Sequence, residues 1–125
     1  MEILLDTHML LWWLGDDPRL SERARAWIIN PANIIFVSAA SAWEIVIKQA
    51  LGKLEMDGDL EQEIRGQGFQ MLPVTFAHTA EVFALPPIHR DPFDRMLVAQ
   101  AREENLQLLT SDPQILRYPA NVIKG

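Results

Sequence analysis

The segment EILLDTHMLLWWLGDDP, residues 2–18, decides the fold. Its first four residues form a short apolar run that stops at Asp6, and a run of this length is typical of a buried strand. The following residues, 7–14, predict a helix, which Gly15 and the Asp-Asp-Pro after it bring to an end. The chain therefore opens with a strand, an acid at the end of that strand, and a helix.

The rest of the chain repeats this alternation. Apolar runs are separated by helical patterns, several of which begin at Ser, Thr or Asp. Uninterrupted apolar strands fit a parallel sheet that is covered on both faces, so we expect a three-layer α/β/α sandwich with a central parallel sheet of about five strands. The predicted strands are residues 2–5, 34–37, 69–74, 106–109 and 120–123, and the predicted helices are residues 7–14, 21–29, 39–51, 59–67, 75–84 and 92–104, with a short helix from 112.

The composition restricts the class of protein. The 125 residues leave room for one domain, 1–125, and the hydrophobic fraction of 49% is that of a globular chain. The absence of cysteine excludes a disulfide framework and a thiol nucleophile. No run is apolar enough to span a bilayer and no basic leader follows Met1, so we expect a cytoplasmic protein. The net charge of −6 argues against a general nucleic-acid coat or a membrane-surface binder.

Four acids recur at one kind of place. Asp6 and Asp112 follow predicted strands, whereas Glu44 and Asp94 lie in the first turns of predicted helices. In an open parallel sheet, ligands bind beyond the carboxyl ends of the strands. We therefore expect Asp6, Glu44 and Asp112 at that edge, and Asp94 can join them there.

Each acid alone also has a simpler explanation. Asp6 and Asp112 can cap the helices that follow them, and Glu44 can complete a capping box with Ser41 or pair with Lys48. Asp91 lies where the cap of the helix that begins at Pro92 would be, and Asp94 in the same turn can belong to that cap.

Two features favour a metal site over caps. Glu44 lies among apolar residues, where an acid needs a partner, and carboxylates gathered at one sheet edge repel each other unless a cation neutralises them. Ligation by carboxylates alone favours Mg²⁺ or Mn²⁺ over zinc. The chain has no nucleophile-elbow serine and no glycine-rich phosphate loop. His8, His78 and His89 lack the close spacing of a histidine metal site, and we expect them on the surface or on helix faces.

Several motifs occur in an order that resembles a known family. The sequence is similar to the PIN domain, and most similar to the VapC-type toxins of bacterial toxin–antitoxin pairs. The resemblance covers essentially the whole chain. The motifs are LLDT at 4–7, VS at 37–38 with WEI at 43–45, DRMLVA at 94–99 and LTSD at 109–112, and one branch of the family also has stretches like SAASAWEI at 38–45 and HRDPFDR at 89–95.

The resemblance implies an endoribonuclease that depends on Mg²⁺ or Mn²⁺. It assigns Asp6, Glu44 and Asp94 as the main metal-holding acids and Asp112 as the acid that completes the cluster. Thr110 would be the hydroxyl that orients these acids without contacting the ion. The spacing within the family favours Asp94 over Asp91 as the ligand, which leaves Asp91 as the helix cap. The resemblance also implies a homodimer that a small antitoxin protein neutralises.

Partner contacts follow from position and charge. Lys48, Arg90 and Arg95 flank the acids and are our candidates for contacts with RNA phosphates, or else for salt bridges to those acids. Trp12, Trp13 and Trp27 add large apolar surface to the first two helices, which favours a dimer. A basic antitoxin segment could place an arginine among the acids and anchor itself in apolar grooves around Trp12 and Trp43.

Three alternatives remain at this point. One is another magnesium-dependent nuclease or phosphohydrolase on the same fold, such as a DNA nuclease. Another is a phosphoacceptor signalling domain, which needs an aspartate at the end of the central strand. We take that strand to be residues 69–74, and no acid follows it. The last is an interaction module that keeps the fold but has no activity. Nothing in the sequence supports this alternative, because all four acids are present.

Overall fold

Five parallel strands form the centre of the computed structural model, which describes residues 1–125. Their order across the sheet is β3-β2-β1-β4-β5, and all four neighbouring pairs are parallel. The predicted parallel α/β architecture is thus confirmed. The strands are β1 (Glu2–Leu5), β2 (Ile34–Ser38), β3 (Gln70–Leu72), β4 (Gln107–Thr110) and β5 (Val122–Lys124).

Six α-helices connect the strands at the predicted places. Ser21, Thr75 and Asp91 cap their helices as the sequence indicates. The short helix expected from 112 is a single 3-10 turn, Ile115–Arg117. No helix is both long enough and apolar enough to cross a membrane. The helices are α1 (Thr7–Leu14), α2 (Glu22–Ile29), α3 (Ala39–Ala50), α4 (Leu60–Gly66), α5 (Phe76–Ala84) and α6 (Pro92–Glu103).

The central strand is β1, and the assignment of residues 69–74 to that position is wrong. That segment contains only the short strand β3, which lies at one edge of the sheet and has one neighbour, β2. Ile3, Leu4 and Leu5 of β1 are fully buried, as expected for a strand with neighbours on both sides. The strand order follows from long-range pairing, which local apolarity does not encode.

Two apolar cores lie on opposite faces of the sheet. Ile3 and Leu5 of β1 point into one core, which α1 and α2 cover together with Ile45 of α3. Leu4, between them in sequence, belongs to the other core, which includes residues of α6. This alternation is what a strand buried on both faces produces, and it confirms the three layers.

The strand order creates a crevice at the end of β1. The chain leaves β1 toward β2 on one side of the sheet and later returns to β4 on the other side. Such a reversal point is where open parallel sheets bind ligands, beyond the carboxyl ends of the strands. Asp6 lies directly at this point, between α1 and the loop after β4.

The three tryptophans of the first two helices are only partly exposed. Trp12, Trp13 and Trp27 pack against the first core, so they do not supply the unpaired surface expected of them. The most exposed large apolar side chains are Phe76 and Phe83 of α5, at 93% and 94% exposure.

A matched pair of leucine substitutions tests this core. We expect Leu108→Ala to lower the free energy of unfolding by about 2–5 kcal/mol, because Leu108 is fully buried in the second core. Leu51→Ala, at an exposed position after α3, should lower it by less than about 0.5 kcal/mol. Urea unfolding of both variants measures the difference. Equal losses would contradict the position of β4 in the sheet.

Candidate metal-binding site

Asp6 is both a helix cap and part of the acid cluster. Its Oδ1 accepts a hydrogen bond from the backbone N–H of Met9 at 2.7 Å, which caps α1. Its Oδ2 accepts a hydrogen bond from the Thr110 hydroxyl at 2.5 Å. The side chain is almost completely buried, and this desolvation raises the pKa of Asp6 despite both hydrogen bonds. Asp6 can therefore cap α1 and belong to the acid cluster at the same time.

Thr110 connects two acid-bearing segments. Its hydroxyl donates to Asp6 and accepts from the backbone N–H of Asp112 at 3.0 Å, so one buried hydroxyl joins the end of β1 to the loop after β4. Asp112 itself accepts a hydrogen bond at Oδ1 from the backbone N–H of Gln114 at 2.8 Å. Thr110 thus contacts two of the predicted site acids, and its role in orienting a metal site stays a prediction.

Glu44 has one carboxylate oxygen without a partner. Oε2 pairs with Nζ of Lys48 at 3.1 Å, whereas Oε1 is buried and accepts no hydrogen bond. The capping-box explanation is wrong, because the cap of α3 is Ser38 and the Ser41 hydroxyl instead accepts from Thr7. A buried carboxylate oxygen without a donor is unfavourable unless a cation or another donor binds it.

Asp91 and Asp94 have different surroundings. Oδ1 of Asp91 accepts hydrogen bonds from the backbone N–H groups of Phe93 and Asp94, so Asp91 is the cap of α6. Burial and the neighbouring charges of Asp91, Asp6 and Glu44 raise the pKa of Asp94 to about 7. Asp94 is thus close enough to Asp6 and Glu44 for their charges to oppose its ionisation.

One of the histidines expected on the surface or on a helix face, His89, lies against Asp94. Nε2 of His89 is 3.0 Å from Oδ2 of Asp94. Ligand atoms of His89, Asp94 and Asp112 all lie within 4.8 Å of one another, so these three side chains could hold a metal ion. This histidine belongs to the HRDPFDR motif. The spacing of the motif does not reveal that its ring contacts Asp94.

The other two histidines differ from each other. His8 is exposed, as expected, whereas His78 is completely buried. Nδ1 of His78 accepts from the backbone N–H of Thr75, and its Nε2 is 2.9 Å from Glu104. His78 therefore completes the cap of α5 instead of lying on a surface.

The three predicted phosphate-contacting residues are placed differently. Lys48 pairs with Glu44 at the edge of the cluster, and Arg90 is exposed. Arg95 points into the protein, where its guanidinium donates to the carbonyls of Val82 and Pro86 and to the hydroxyl of Tyr118. Arg95 therefore stabilises the loop before α6. Because its guanidinium points inward, it is not placed to contact an RNA phosphate.

Two grooves lie where apolar anchoring was expected. One, of about 390 Å³, includes Trp12 and Leu54. The other, of about 740 Å³, includes Trp43, Phe93 and Arg90, and the Trp43 and Phe93 rings meet edge to face at 5.3 Å. The second groove lies beside the acid cluster, since Trp43 and Phe93 directly precede Glu44 and Asp94.

The chain resembles known proteins both in sequence and in fold. Residues 3–121 match the family model described as PIN domain. The chain is 31% identical over 130 residues to Ribonuclease VapC22 of Mycobacterium tuberculosis, covering 96% of this chain and 95% of that relative.

Solved structures share the fold at low sequence identity. FitAcB from Neisseria gonorrhoeae matches with a TM-score of 0.70 at 21% identity, covering 97% of this chain and 96% of that one. VapBC2 from Rickettsia felis, bound to a DNA fragment from its promoter, matches with a TM-score of 0.66 at 17% identity, covering 100% and 98%.

The pKa of Asp94 predicts how pH changes the stability of the metal-free protein. The folded protein holds this proton up to a pH of about 7, whereas the unfolded chain loses it near the ordinary value of 3.8. The free energy of unfolding should therefore fall as pH rises between these values, by no more than a few kcal/mol. Asp94→Asn should remove most of this fall and be more stable than the wild type at pH 8. Urea unfolding in EDTA at pH 4.5 and pH 8 measures both proteins.

Asp91→Asn is the control for this experiment. Asparagine caps helices about as well as aspartate, so this variant should keep its stability at pH 4.5 and most of the pH dependence. Its lost charge should lower the pKa of Asp94 only in part, because burial is the main cause of the shift. An Asp94→Asn protein less stable than the wild type at pH 8 would mean that Asp94 acts only as a structural acid.

Proposed function

The chain belongs to the PIN domain family, and on that premise we propose that it is a metal-dependent endoribonuclease, the toxin of a toxin–antitoxin pair. The observation that carries this proposal is the buried Oε1 of Glu44, which has no partner and lies near other carboxylates. The relative from Mycobacterium tuberculosis named as a ribonuclease supports the reaction class.

The residues present fit a hard divalent cation. Asp6, Glu44, Asp94 and Asp112 would hold it, and their oxygens are the ligands that Mg²⁺ and Mn²⁺ prefer. A cation would give Oε1 of Glu44 the partner that it lacks and would offset the repulsion that raises the pKa of Asp94. When bound, the ion activates water and polarises the scissile phosphate.

The chain's own residues arrange the substrate and the acids. Thr110 holds Asp6 and the start of the Asp112 loop in place through its hydroxyl. Arg90 is exposed beside the groove that contains Trp43, so it is our first candidate for an RNA phosphate contact, and Lys48 is the second. Because the chain is acidic overall, such contacts must act locally and should weaken as salt rises.

The proposed partner is a small basic antitoxin. One of the solved structures that share the fold is a toxin–antitoxin complex from Klebsiella pneumoniae, and another is VapBC-1 from nontypeable Haemophilus influenzae. A segment of this partner would anchor in the grooves around Trp12 and Trp43 and place an arginine among the acids, where its charge replaces that of the ion. We place the active protein in the cytoplasm, where its RNA substrate is found, and treat residues 1–125 as one domain.

The structure argues against a phosphoacceptor role because of the burial of Asp6, and not because the central strand lacks an aspartate. The central strand β1 does end at an aspartate, Asp6. This side chain is only 3% exposed, and each of its carboxylate oxygens accepts a hydrogen bond. Asp6 is therefore not free to receive a phosphoryl group from solution.

Removal of one charge from the cluster tests the nuclease proposal. Glu44→Gln should lower the rate of RNA cleavage at least about 100-fold, since the lost interaction with the ion is worth several kcal/mol. The assay follows a labelled RNA across a Mn²⁺ titration, with a DNA strand of the same sequence alongside. Glu61→Gln is the matched control, because Glu61 forms the same kind of i,i+4 pair with Arg65 on an exposed helix face. Full activity of Glu44→Gln would end the proposal, and preference for DNA would favour the DNA nuclease alternative.

The exposed phenylalanines of α5 predict how copies of the chain associate. We propose a homodimer in which Phe76 and Phe83 are buried, because two side chains of this size and exposure are costly to leave in water. Light scattering at micromolar concentration should show a dimer for the wild type and a monomer for Phe83→Ser. A monomeric wild type would contradict the dimer, and a dimeric Phe83→Ser would place the interface elsewhere.

A further inference from the structure

The loop before α6 carries an imidazole into the acid cluster. Nε2 of His89 lies 3.0 Å from Oδ2 of Asp94, and Asp112 completes a set of three side chains whose ligand atoms lie within 4.8 Å of one another. Asp6 and Glu44 are not members of this set. His89 is thus the one nitrogen donor among the oxygen donors of the site.

A network of hydrogen bonds holds the backbone that carries this imidazole. The backbone N–H of His89 donates to the hydroxyl of the buried Tyr118 at 2.8 Å, and that hydroxyl also accepts from Arg95 at 3.1 Å. Arg95 donates in turn to the carbonyl of Pro86 at 3.0 Å, at the start of the loop. Two buried or half-buried side chains therefore fix the backbone that carries His89.

A second observation indicates that an ion belongs here. Glu44 is only 8% exposed, and its Oε1 has no hydrogen-bond partner. The cluster thus contains an oxygen that lacks a donor as well as a nitrogen that is held in place.

We propose that His89 is a ligand of the divalent ion, together with Asp94 and Asp112, and that the site therefore prefers Mn²⁺ to Mg²⁺. This inference rests on the proposed function, since it assumes that the site binds a divalent ion. Mg²⁺ favours oxygen ligands at about 2.0–2.1 Å, whereas imidazole suits transition metals.

The spacing of the donor atoms agrees with this role. Two adjacent ligands of an octahedral ion, each at about 2.1 Å, lie about 3 Å apart. This is the distance between Nε2 of His89 and Oδ2 of Asp94, where a hydrogen bond joins them without the ion. An ion bound by both atoms would take the place of the shared proton, and the two donor atoms already have the separation that it needs.

Electron spin-echo spectroscopy of bound Mn²⁺ tests the proposal directly. The wild type loaded with Mn²⁺ should show coupling to a ¹⁴N nucleus, and this should change to the ¹⁵N pattern when the histidines are labelled with ¹⁵N. His89→Gln should abolish the coupling, whereas His8→Gln should keep it. His8 is the matched control, because it is an exposed histidine two residues after Asp6 that is not in the ligand set.

Metal affinities supply a second readout. Thermal melts titrated with Mn²⁺ alone or Mg²⁺ alone should show that His89→Gln loses about tenfold in Mn²⁺ affinity and less than about twofold in Mg²⁺ affinity. Equal losses for both ions would overturn the proposed preference and leave His89 as a residue that only orients Asp94.

The outcomes separate this inference from the proposed function. Mn²⁺ bound to the wild type without nitrogen coupling, or coupling that persists in His89→Gln, overturns the ligand role while the nuclease proposal stands. If neither ion binds the wild type, both proposals fail. Should His89→Gln not fold, the isotope exchange in the wild type, with and without His8→Gln, still decides whether a histidine near the site binds the ion.

Discussion

The hydrogen bond from Thr110 to Asp6 is the interaction on which the site depends. It joins the ends of the neighbouring strands β1 and β4 at the point where the chain reverses its direction across the sheet. The other oxygen of Asp6 caps α1, so one buried carboxylate connects two strands and a helix. The same hydroxyl also positions the backbone of Asp112. The geometry of the crevice follows from these three contacts.

The electrostatics of the crevice oppose this arrangement. Burial raises the pKa values of Asp6 and Asp94, and for Asp94 the neighbouring acids add to the effect. Lys48 neutralises only one oxygen of Glu44 and leaves the other without a partner. The fold therefore holds acids together at a cost in stability, which is typical of functional sites, and a divalent ion would relieve both the repulsion and the missing contact.

Local patterns in the sequence predict most of the fold and the acids, but not the long-range contacts. The apolar run before Asp6 and the Asp-Pro pair at 91–92 predict a strand and a helix start, because these signals act within a few residues. The edge position of β3 and the inward direction of Arg95 depend on residues far along the chain. His89 was missed for the same reason, since only the contacts with Tyr118 and Asp94 show where its ring points.

The most direct test of the central claim is a crystal structure of the protein loaded with Mn²⁺, with anomalous diffraction measured at the manganese edge. We expect an anomalous peak among Asp6, Glu44, His89, Asp94 and Asp112, in contact with Oε1 of Glu44 and with Thr110 still bonded to Asp6. A peak elsewhere on the surface, or a Glu44 whose Oε1 has found a protein donor instead, would contradict the account.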